Sequence, residues 1–185
     1  MAFDPALLQR DLETLTAAEW TPHFVPEHYD GDWSAIPLRS PAGARHPIQM
    51  IVSDPIATTF VDTPWLSACP YFRTVIGAFQ CQTQCVRLMR LTPGSAIKEH
   101  RDFDLDAEHG TVRIHIPITT NPGVVFELNR VAVTLAPGEA WYLRLTDPHR
   151  VANHGPADRV HLVLDAVING WMTELLQQAC ALQAA

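Results

Sequence analysis

A succession of short apolar runs, separated by turn residues, fills the second half of the chain and constrains its fold more than any other feature. The runs begin at residue 85, end at residue 167 and read CVRLMRL, TVRIHIPI, VVFEL, VAVTL, EAWYLRL and RVHLVLDAV. Dipeptides that favour turns, such as Pro93-Gly94 and Pro137-Gly138, divide the runs. Short strands at even spacing, without helices between them, are typical of an antiparallel barrel or jelly roll. The pattern therefore predicts a mainly β fold.

The length of the chain predicts a single domain over residues 1–185, because that length suffices for one sizeable core and not for two ordinary domains. We expect a helical and irregular flanking layer over residues 1–80, a barrel core over 81–167 and a C-terminal helix over 168–185. Leucines at helical spacing predict a first helix over residues 4–18. The flanking layer is further predicted to contain a helix near 70–79 and a short strand near 35–39.

Charge and hydropathy argue against several classes of protein. The formal net charge of −7 gives no electrostatic support for binding a phosphate backbone, so we expect no nucleic-acid partner. No stretch approaches the roughly 20 apolar residues of a membrane helix, and the N-terminus lacks the basic start of a signal peptide. We therefore expect a cytoplasmic protein without a membrane partner. Cys81 and Cys85 have no second pair of ligands to complete a zinc site.

The stretch KEHRDFDLDAEHG contains a His-x-Asp pair, His100 and Asp102, that has two incompatible interpretations. A kinase catalytic loop is excluded, because the chain lacks the glycine-rich loop and the downstream Asp-Phe-Gly that such a site requires. On an extended segment both side chains point to one side of the backbone. Two imidazoles and one carboxylate are the ligand set of non-haem Fe(II) oxygenases, so a third ligand must come from elsewhere in the barrel. The candidates are His109, His115, His149, His154 and His161.

Two of the predicted strands place charged side chains on a face opposite their apolar residues. In RVHLVLDAV, alternation puts Arg159, His161 and Asp165 on one face. In TVRIHIPI, it puts Arg113 and His115 on one face. An arginine inside a small barrel is costly unless it meets an anion, and its planar fork suits a carboxylate. The alternatives are a structural ion pair with Asp165 or a residue of the barrel rim in the first strand and a solvated outer face in the second.

In order and spacing, three segments of the chain resemble the aspartyl/asparaginyl β-hydroxylase family of Fe(II)- and 2-oxoglutarate-dependent dioxygenases, which also contains bacterial proline cis-hydroxylases. The segments are HRD at 100–102, VRIHIPI at 112–118 and GEAWYLRLTDPHRVANHGPADRVHLVLD at 138–165. The resemblance spans residues 80–170. It implies a double-stranded β-helix of the jelly-roll, cupin-like type, with flanking N- and C-terminal helices.

The resemblance also implies a role for each candidate residue. The implied iron ligands and catalytic residues are His100, Asp102 and His149. Arg159 follows His149 by ten positions, as in the family, and is implied to bind the far carboxylate of 2-oxoglutarate. Arg113 and His115 occupy the family's Arg-x-His strand and are implied to bind the cosubstrate, with the histidine at the carboxylate nearest the metal.

Two positions depart from the family's vertebrate members. The vertebrate aspartyl hydroxylases have glycine where this chain has Asp102, so the chain resembles the bacterial branch with a complete triad. They also have a serine that assists the far carboxylate, at the position of Met89 here. For the substrate, Arg39 and Trp33 are candidate binding residues, since an amino acid or peptide terminus would present a carboxylate to an arginine. The alternative for Arg39 is an ordinary surface arginine.

The residues and the resemblance together predict an enzyme. It would use Fe(II), 2-oxoglutarate and O2 to hydroxylate an unactivated C–H bond of an amino acid, peptide or protein side chain. One alternative is a cupin-type metalloenzyme that does not use 2-oxoglutarate, which gives Arg159 no anion to bind. A second alternative is a non-catalytic jelly-roll binding domain, which predicts no stoichiometric metal.

Overall fold

The computed structural model describes residues 1–15 and 17–183. Thr16, within the first predicted helix, and residues 184–185, within the predicted C-terminal helix, lie outside the described residues. The helices are α1 Pro5–Thr14, α2 Pro47–Ile51, α3 Pro64–Ser67, α4 Pro70–Gly77 and α5 Gly170–Gln183. The strands are β1 Thr21–Pro22, β2 Tyr29–Asp30, β3 Trp33–Pro41, β4 Phe60–Asp62, β5 Thr83–Leu91, β6 Ala96–His100, β7 Thr111–Thr119, β8 Val124–Leu128, β9 Val131–Ala132, β10 Trp141–Tyr142, β11 His149–Asn153 and β12 Arg159–Val167.

The strands form two antiparallel sheets. The large sheet has seven strands, in the order β1-β3-β5-β12-β7-β10 with β4 also paired to β3. The small sheet has five strands, in the order β2-β6-β11-β8-β9. Most neighbours are distant in sequence, which is typical of a jelly roll and not of a simple meander. The architecture confirms the predicted mainly β jelly roll with N- and C-terminal helices.

Two hydrophobic clusters separate the layers of the molecule. One packs α1, α4 and α5 against the large sheet and includes Phe72 and Met172, both fully buried. The other lies between the two sheets and joins Leu91 of the large sheet to Phe126 and Val151 of the small sheet. The helices therefore cover one face of the large sheet, and the small sheet covers the other.

Strand β12 divides its side chains between these two clusters, as its alternation predicts. Val160, Leu162 and Leu164 pack in the cluster on the helix side, whereas Val163 packs between the sheets. The polar residues on the same face as Val163 are all buried and are Arg159, His161 and Asp165. Because β5 and β7 flank β12 along most of its length, these polar groups lie in the middle of the large sheet.

Strand β3 extends the barrel beyond the predicted core of residues 81–167. It runs from Trp33 to Pro41, longer than the strand predicted near 35–39, and pairs with β5. Proline lacks a backbone N–H and is rare inside sheets, so the sequence around Pro37 predicted only a short strand there. On the edge of β3 away from β5, β1 pairs with residues before Pro37 and β4 pairs with residues after it. Pro37 therefore lies between two short partner strands on that edge.

That the chain forms one domain stays a prediction.

Two of the late apolar runs are mostly irregular. VAVTL contributes only β9 and EAWYLRL only β10, each of two residues. Leu135, Leu143 and Leu145 from these runs are nevertheless buried between the sheets. These residues fill the core without joining a ladder, which alternation over a short run does not distinguish from a strand.

No helix within residues 1–15 and 17–183 is long and apolar enough to cross a bilayer. The longest, α5, has 14 residues, whereas a membrane span needs roughly 20. The cytoplasmic location and the lack of a membrane partner stay predictions.

Candidate metal centre

Three side chains with metal-binding atoms converge at one end of the β6–β11 pair. His100 ends β6, His149 begins β11, and the two residues are direct cross-strand partners. Their ring centroids are 4.3 Å apart. One ligand atom from each of His100, Asp102 and His149 lies within 4.8 Å of the other two. In the part of the chain that the structure describes, no other group of three histidines, cysteines or carboxylates has this geometry.

The strand register selects His149 from the candidate third ligands. Directly opposed residues of an antiparallel pair have Cβ atoms about 4.5–5.5 Å apart, so the pairing of β11 with β6 brings His149 to His100. His154 lies exposed in the loop that follows β11. The candidates that the structure leaves outside the cluster are His109, His115, His154 and His161.

Both histidines of the cluster are oriented by a backbone carbonyl two residues earlier. His100 Nδ1 lies 2.8 Å from the Lys98 carbonyl oxygen, and His149 Nδ1 lies 3.0 Å from the Asp147 carbonyl oxygen. A carbonyl oxygen only accepts, so each Nδ1 must carry the hydrogen and donate it. Each Nε2 of a neutral ring is then an unprotonated acceptor, which is the form of histidine that binds metals. Burial lowers the pKa of His149 and so favours its neutral form.

Asp102 divides its two carboxylate oxygens between the protein and the cluster. Its Oδ2 accepts a hydrogen bond of 2.7 Å from the Arg113 guanidinium. Its Oδ1 lies 3.6 Å from His100 Nε2. The backbone is held as well, because the Asp102 N–H donates to the Leu145 carbonyl at 2.9 Å. One carboxylate oxygen is therefore left to face the two imidazoles.

Arg113 belongs to a buried ionic network behind Asp102. Besides Asp102, it donates to Asp165 Oδ1 at 2.7 Å and to the Ser53 hydroxyl at 2.8 Å. Arg87 donates to Asp165 Oδ2 at 3.1 Å, and Ser53 also hydrogen-bonds Asp165. Burial alone would lower the pKa of Arg113, but the charges of Asp165 and Asp102 outweigh it and raise the pKa above its usual value. Arg113 thus lines the cavity with its charge already paired, and its predicted contact with a cosubstrate stays a prediction.

Arg159 contrasts with Arg113, because it is buried without an anion. Only 3% of its surface is exposed, and its Nε has no hydrogen-bond partner. Within residues 1–15 and 17–183 no carboxylate pairs with its guanidinium, so the structural ion pair with Asp165 does not form. Burial lowers its pKa from 12.5 to about 9. A buried cation of this kind is costly unless a bound anion compensates it.

One cavity connects Arg159 to the cluster of His100, Asp102 and His149. His115 also faces it, and the buried Nε2 of this histidine has no hydrogen-bond partner. Arg113 and His115 are both buried, so the solvated outer face considered for β7 does not form. The polar lining residues are His100, Asp102, Arg113, His115, His149 and Arg159, and the others are Trp33, Met89, Ile97, Phe126, Leu145 and Val151. The cavity therefore combines an apolar wall with polar groups that converge from both sheets.

A wider cleft opens from the same cluster toward solvent, and Trp33 lines both regions. His23 stacks on Trp33 with ring centroids 3.5 Å apart. Burial is the main cause that lowers the pKa of His23 from 6.5 to about 3, with the charge of Arg87 adding to it. Phe24 and Phe103 line the same cleft, and 83% of the Phe103 surface is exposed. Trp33 thus lines both regions, and its role in substrate binding stays a prediction.

Arg39, the other predicted substrate residue, lies outside both regions. Its guanidinium is 2.7 Å from Asp62 and donates to the Thr83 hydroxyl at 2.9 Å. These contacts agree with the alternative of a structural surface arginine. Its role in substrate binding stays a prediction that no contact supports.

Several residues of the site were missed by sequence reasoning. Arg87 shares a strand face with Met89, so alternation in CVRLMRL offered a signal for it. Ser53 and His23 lie in the irregular flanking layer, where no periodicity exists to indicate which side chains turn inward. Their positions depend on tertiary packing alone.

Comparison with known proteins gives a family, a similar protein and a similar solved structure. The family model described as Aspartyl/Asparaginyl beta-hydroxylase matches residues 6–168. The L-proline cis-4-hydroxylase of Rhizobium meliloti (strain 1021) is 27% identical over 165 residues, which cover 88% of this chain and 57% of the relative. The chain therefore spans little more than half the length of that protein. A 2OG-Fe(II) oxygenase family oxidoreductase from Burkholderia pseudomallei superposes with a TM-score of 0.54 at 15% identity, covering 89% of this chain and 80% of that one.

Proposed function

The chain belongs to the aspartyl/asparaginyl β-hydroxylase family, and on that basis we propose that it is an Fe(II)- and 2-oxoglutarate-dependent dioxygenase. It hydroxylates an unactivated C–H bond of an amino acid, peptide or protein side chain. The observation that carries the proposal is the buried, unpaired Arg159, which lines the same cavity as His100, Asp102 and His149. A dicarboxylate could bind the metal with one end and pair with the charge of Arg159 at the other end.

The donor set fits iron(II). Two neutral imidazoles and one carboxylate suit non-haem iron and leave coordination positions open. The proposed ligand atoms are the unprotonated Nε2 atoms of His100 and His149 and the free Oδ1 of Asp102. Hydrogen bonds to the far side of each ligand, as seen here, orient ligands in metal sites generally.

When bound, iron(II) with 2-oxoglutarate activates dioxygen and supplies the oxidising power that inserts a hydroxyl, with succinate and carbon dioxide as co-products. The protein's own contribution is to bind and orient. Arg159 holds the far carboxylate, and the unpaired Nε2 of His115 lies in the same cavity for the near end. Phe126 and Val151 help to exclude water from the cavity, which strengthens these ionic contacts.

The substrate enters from the wider cleft in this proposal. The curated relative is named for L-proline, a free amino acid, and supports an amino-acid substrate class here. Trp33 and His23 form the stacked wall of the cleft next to His100. Phe24 and Phe103 offer exposed aromatic surface at its mouth. This lining suits a small substrate with an apolar part.

Replacement of Arg159 by alanine is expected to weaken 2-oxoglutarate binding by about thirtyfold or more, because truncating one partner of a buried charge pair costs about 2–5 kcal/mol. Anaerobic titration of the Fe(II)-loaded protein with 2-oxoglutarate measures this through the visible metal-to-ligand charge-transfer band. Iron binding itself should be retained, since Arg159 is not one of the proposed ligands.

Arg130→Ala is the matched control for Arg159→Ala. Its side chain is 76% exposed and pairs with Glu99 on the surface, so the variant loses the same charge away from the cavity. It should titrate as wild type does. Iron bound without any charge-transfer band would favour the cupin-type enzyme that does not use 2-oxoglutarate. The absence of stoichiometric iron would favour a non-catalytic binding domain.

A further inference from the structure

His161 is a buried histidine that neither the proposed metal site nor the proposed cosubstrate contacts use. It follows Arg159 by two positions on β12, shares its interior face and is only 2% exposed. Its Nδ1 lies 3.0 Å from the Arg159 guanidinium. Among the described residues, this is the only hydrogen bond that Arg159 makes with its side chain. Within the described part of the chain, the side chain that hydrogen-bonds the Arg159 guanidinium is therefore that of His161 alone.

The direction of this hydrogen bond follows from chemistry. A guanidinium has five N–H donors and no acceptor, so Arg159 must donate and His161 Nδ1 must accept. The ring is then neutral, with its hydrogen on Nε2. Burial and the charge of Arg159 lower the pKa of His161 well below its usual value, which agrees with a neutral ring. An imidazole acceptor has one lone pair in the ring plane, so the orientation of the ring fixes the direction from which Arg159 approaches.

The ring of His161 is itself held in place by packing. The His115 ring meets it edge to face, with centroids 5.6 Å apart and planes at 76°. His115 Nδ1 lies 3.4 Å from His161 Nδ1. The cross-strand partners of His161 are Met89 on β5 and Pro117 on β7. Neither has a side-chain hydrogen-bond donor. Among the described residues, the one other group within hydrogen-bond reach of the acceptor nitrogen is His115 Nδ1 at 3.4 Å, and Arg159 at 3.0 Å is closer.

We propose that His161 is the positioning residue for Arg159, holding its guanidinium aimed into the cavity so that the far carboxylate of 2-oxoglutarate meets a prearranged fork. This inference rests on the proposed function. The arrangement matters because a long, flexible arginine otherwise loses side-chain entropy when it binds, and prior restraint removes that cost. His161 acts only through Arg159, so its effect should extend to the far carboxylate and not to the metal.

Two variants test this by separating the hydrogen bond from the packing. His161→Leu removes the acceptor and keeps apolar bulk, whereas His161→Asn keeps an acceptor oxygen near the position of Nδ1. The probes are 2-oxoglutarate and 2-oxopentanoate, which has the same keto acid end without the far carboxylate. Both are titrated anaerobically against the Fe(II)-loaded proteins, and the melting temperature of each variant is measured. Val163→Ala, on the same strand face, controls for lost packing, since Val163 lies in the inter-sheet cluster.

In His161→Leu, the dissociation constant of 2-oxoglutarate should rise about tenfold or more, as for loss of a hydrogen bond to a charged group. That of 2-oxopentanoate and the affinity for Fe(II) should stay close to wild type. His161→Asn should recover most of the loss, and Val163→Ala should lower the melting temperature without preference for either probe.

Equal losses for the two probes in His161→Leu, or no loss for 2-oxoglutarate, would overturn the positioning role. If wild type binds 2-oxoglutarate and Arg159→Ala does not, such a result leaves the proposed function standing and removes only this inference. If wild type gives no charge-transfer band with 2-oxoglutarate, both are overturned together.

Discussion

Replacement of either His100 or Asp102 by alanine is expected to abolish 2-oxoglutarate turnover while the jelly roll stays folded. Changes to groups that only support metal ligands cost about 10- to 100-fold in affinity or activity, so the loss of a ligand itself should exceed that range. Neither side chain belongs to the two hydrophobic clusters, and both line the cavity. Succinate production and the affinity for Fe(II) measure the effect, and far-ultraviolet circular dichroism checks the fold.

Asp104→Asn is the control for the Asp102 variant. Asp104 lies two residues further along, with a side chain that is 83% exposed. Its φ of 60° lies in the left-handed region, which asparagine tolerates better than alanine. This variant should keep wild-type turnover. Preserved succinate production in His100→Ala or Asp102→Ala would contradict the assignment of these residues as iron ligands.

Asp165→Asn is expected to lower the free energy of unfolding by about 3–5 kcal/mol, because breaking a buried ion pair leaves uncompensated charge. Asp165 has a fully buried side chain that pairs with both Arg87 and Arg113. An amide in its place would leave Arg113 paired with Asp102 alone, and Arg87 without its carboxylate partner. Urea denaturation measures the loss, with the slope of the transition as a check on two-state unfolding.

The matched control is Asp62→Asn, which removes the same kind of partner from an exposed pair with Arg39. Exposed pairs contribute about 0–1 kcal/mol, so this variant should change stability little. Losses of similar size in the two variants would contradict the view that the Asp165 network, and not aspartate–arginine pairing in general, stabilises the site.

The same network predicts how stability depends on pH. Burial alone would raise the pKa of Asp165, but the charges of Arg113 and Arg87 outweigh it and hold the pKa well below its usual value. A carboxyl group with a lowered folded-state pKa stabilises the fold fully above its unfolded pKa of about 3.9. That contribution is lost as pH falls through the lower folded-state value. In Asp165→Asn this component of acid sensitivity should be absent.

Alternation along single strands predicted which side chains share a face, and β12 and β7 bear this out, whereas the direction of that face stayed open for β7. It predicted that Arg113 lies on the face of His115, and both residues are buried. Alternation gave no information about which side chains pair across neighbouring strands, because those pairs depend on the register between the strands. Arg113 lies directly opposite Asp165 across the β7–β12 pair. Because of this register, Arg113 forms an ion pair with Asp165 that alternation did not predict.

The flanking layer could not be predicted to the same depth. Its one long strand, β3, contains Pro37, a residue that is rare inside strands, and its site residues Ser53 and His23 lie in segments without periodicity. Ser53 reaches the network only because the chain after α2 packs over β5 and β12, as its contacts with Arg87 and Asp165 indicate. Contacts between segments this far apart in sequence produce no local periodicity, so the sequence pattern does not predict them.

The two ends of the proposed cosubstrate would lie on different sheets. His100 and His149 belong to the small sheet, whereas Arg159 belongs to the large one. Packed sheets are held about 10 Å apart by the side chains between them. On the proposed function, the distance between the two sheets therefore sets the length of the diacid that the cavity accepts. Residues such as Phe126, buried between the sheets, would then tune selectivity among diacids by spacing the walls.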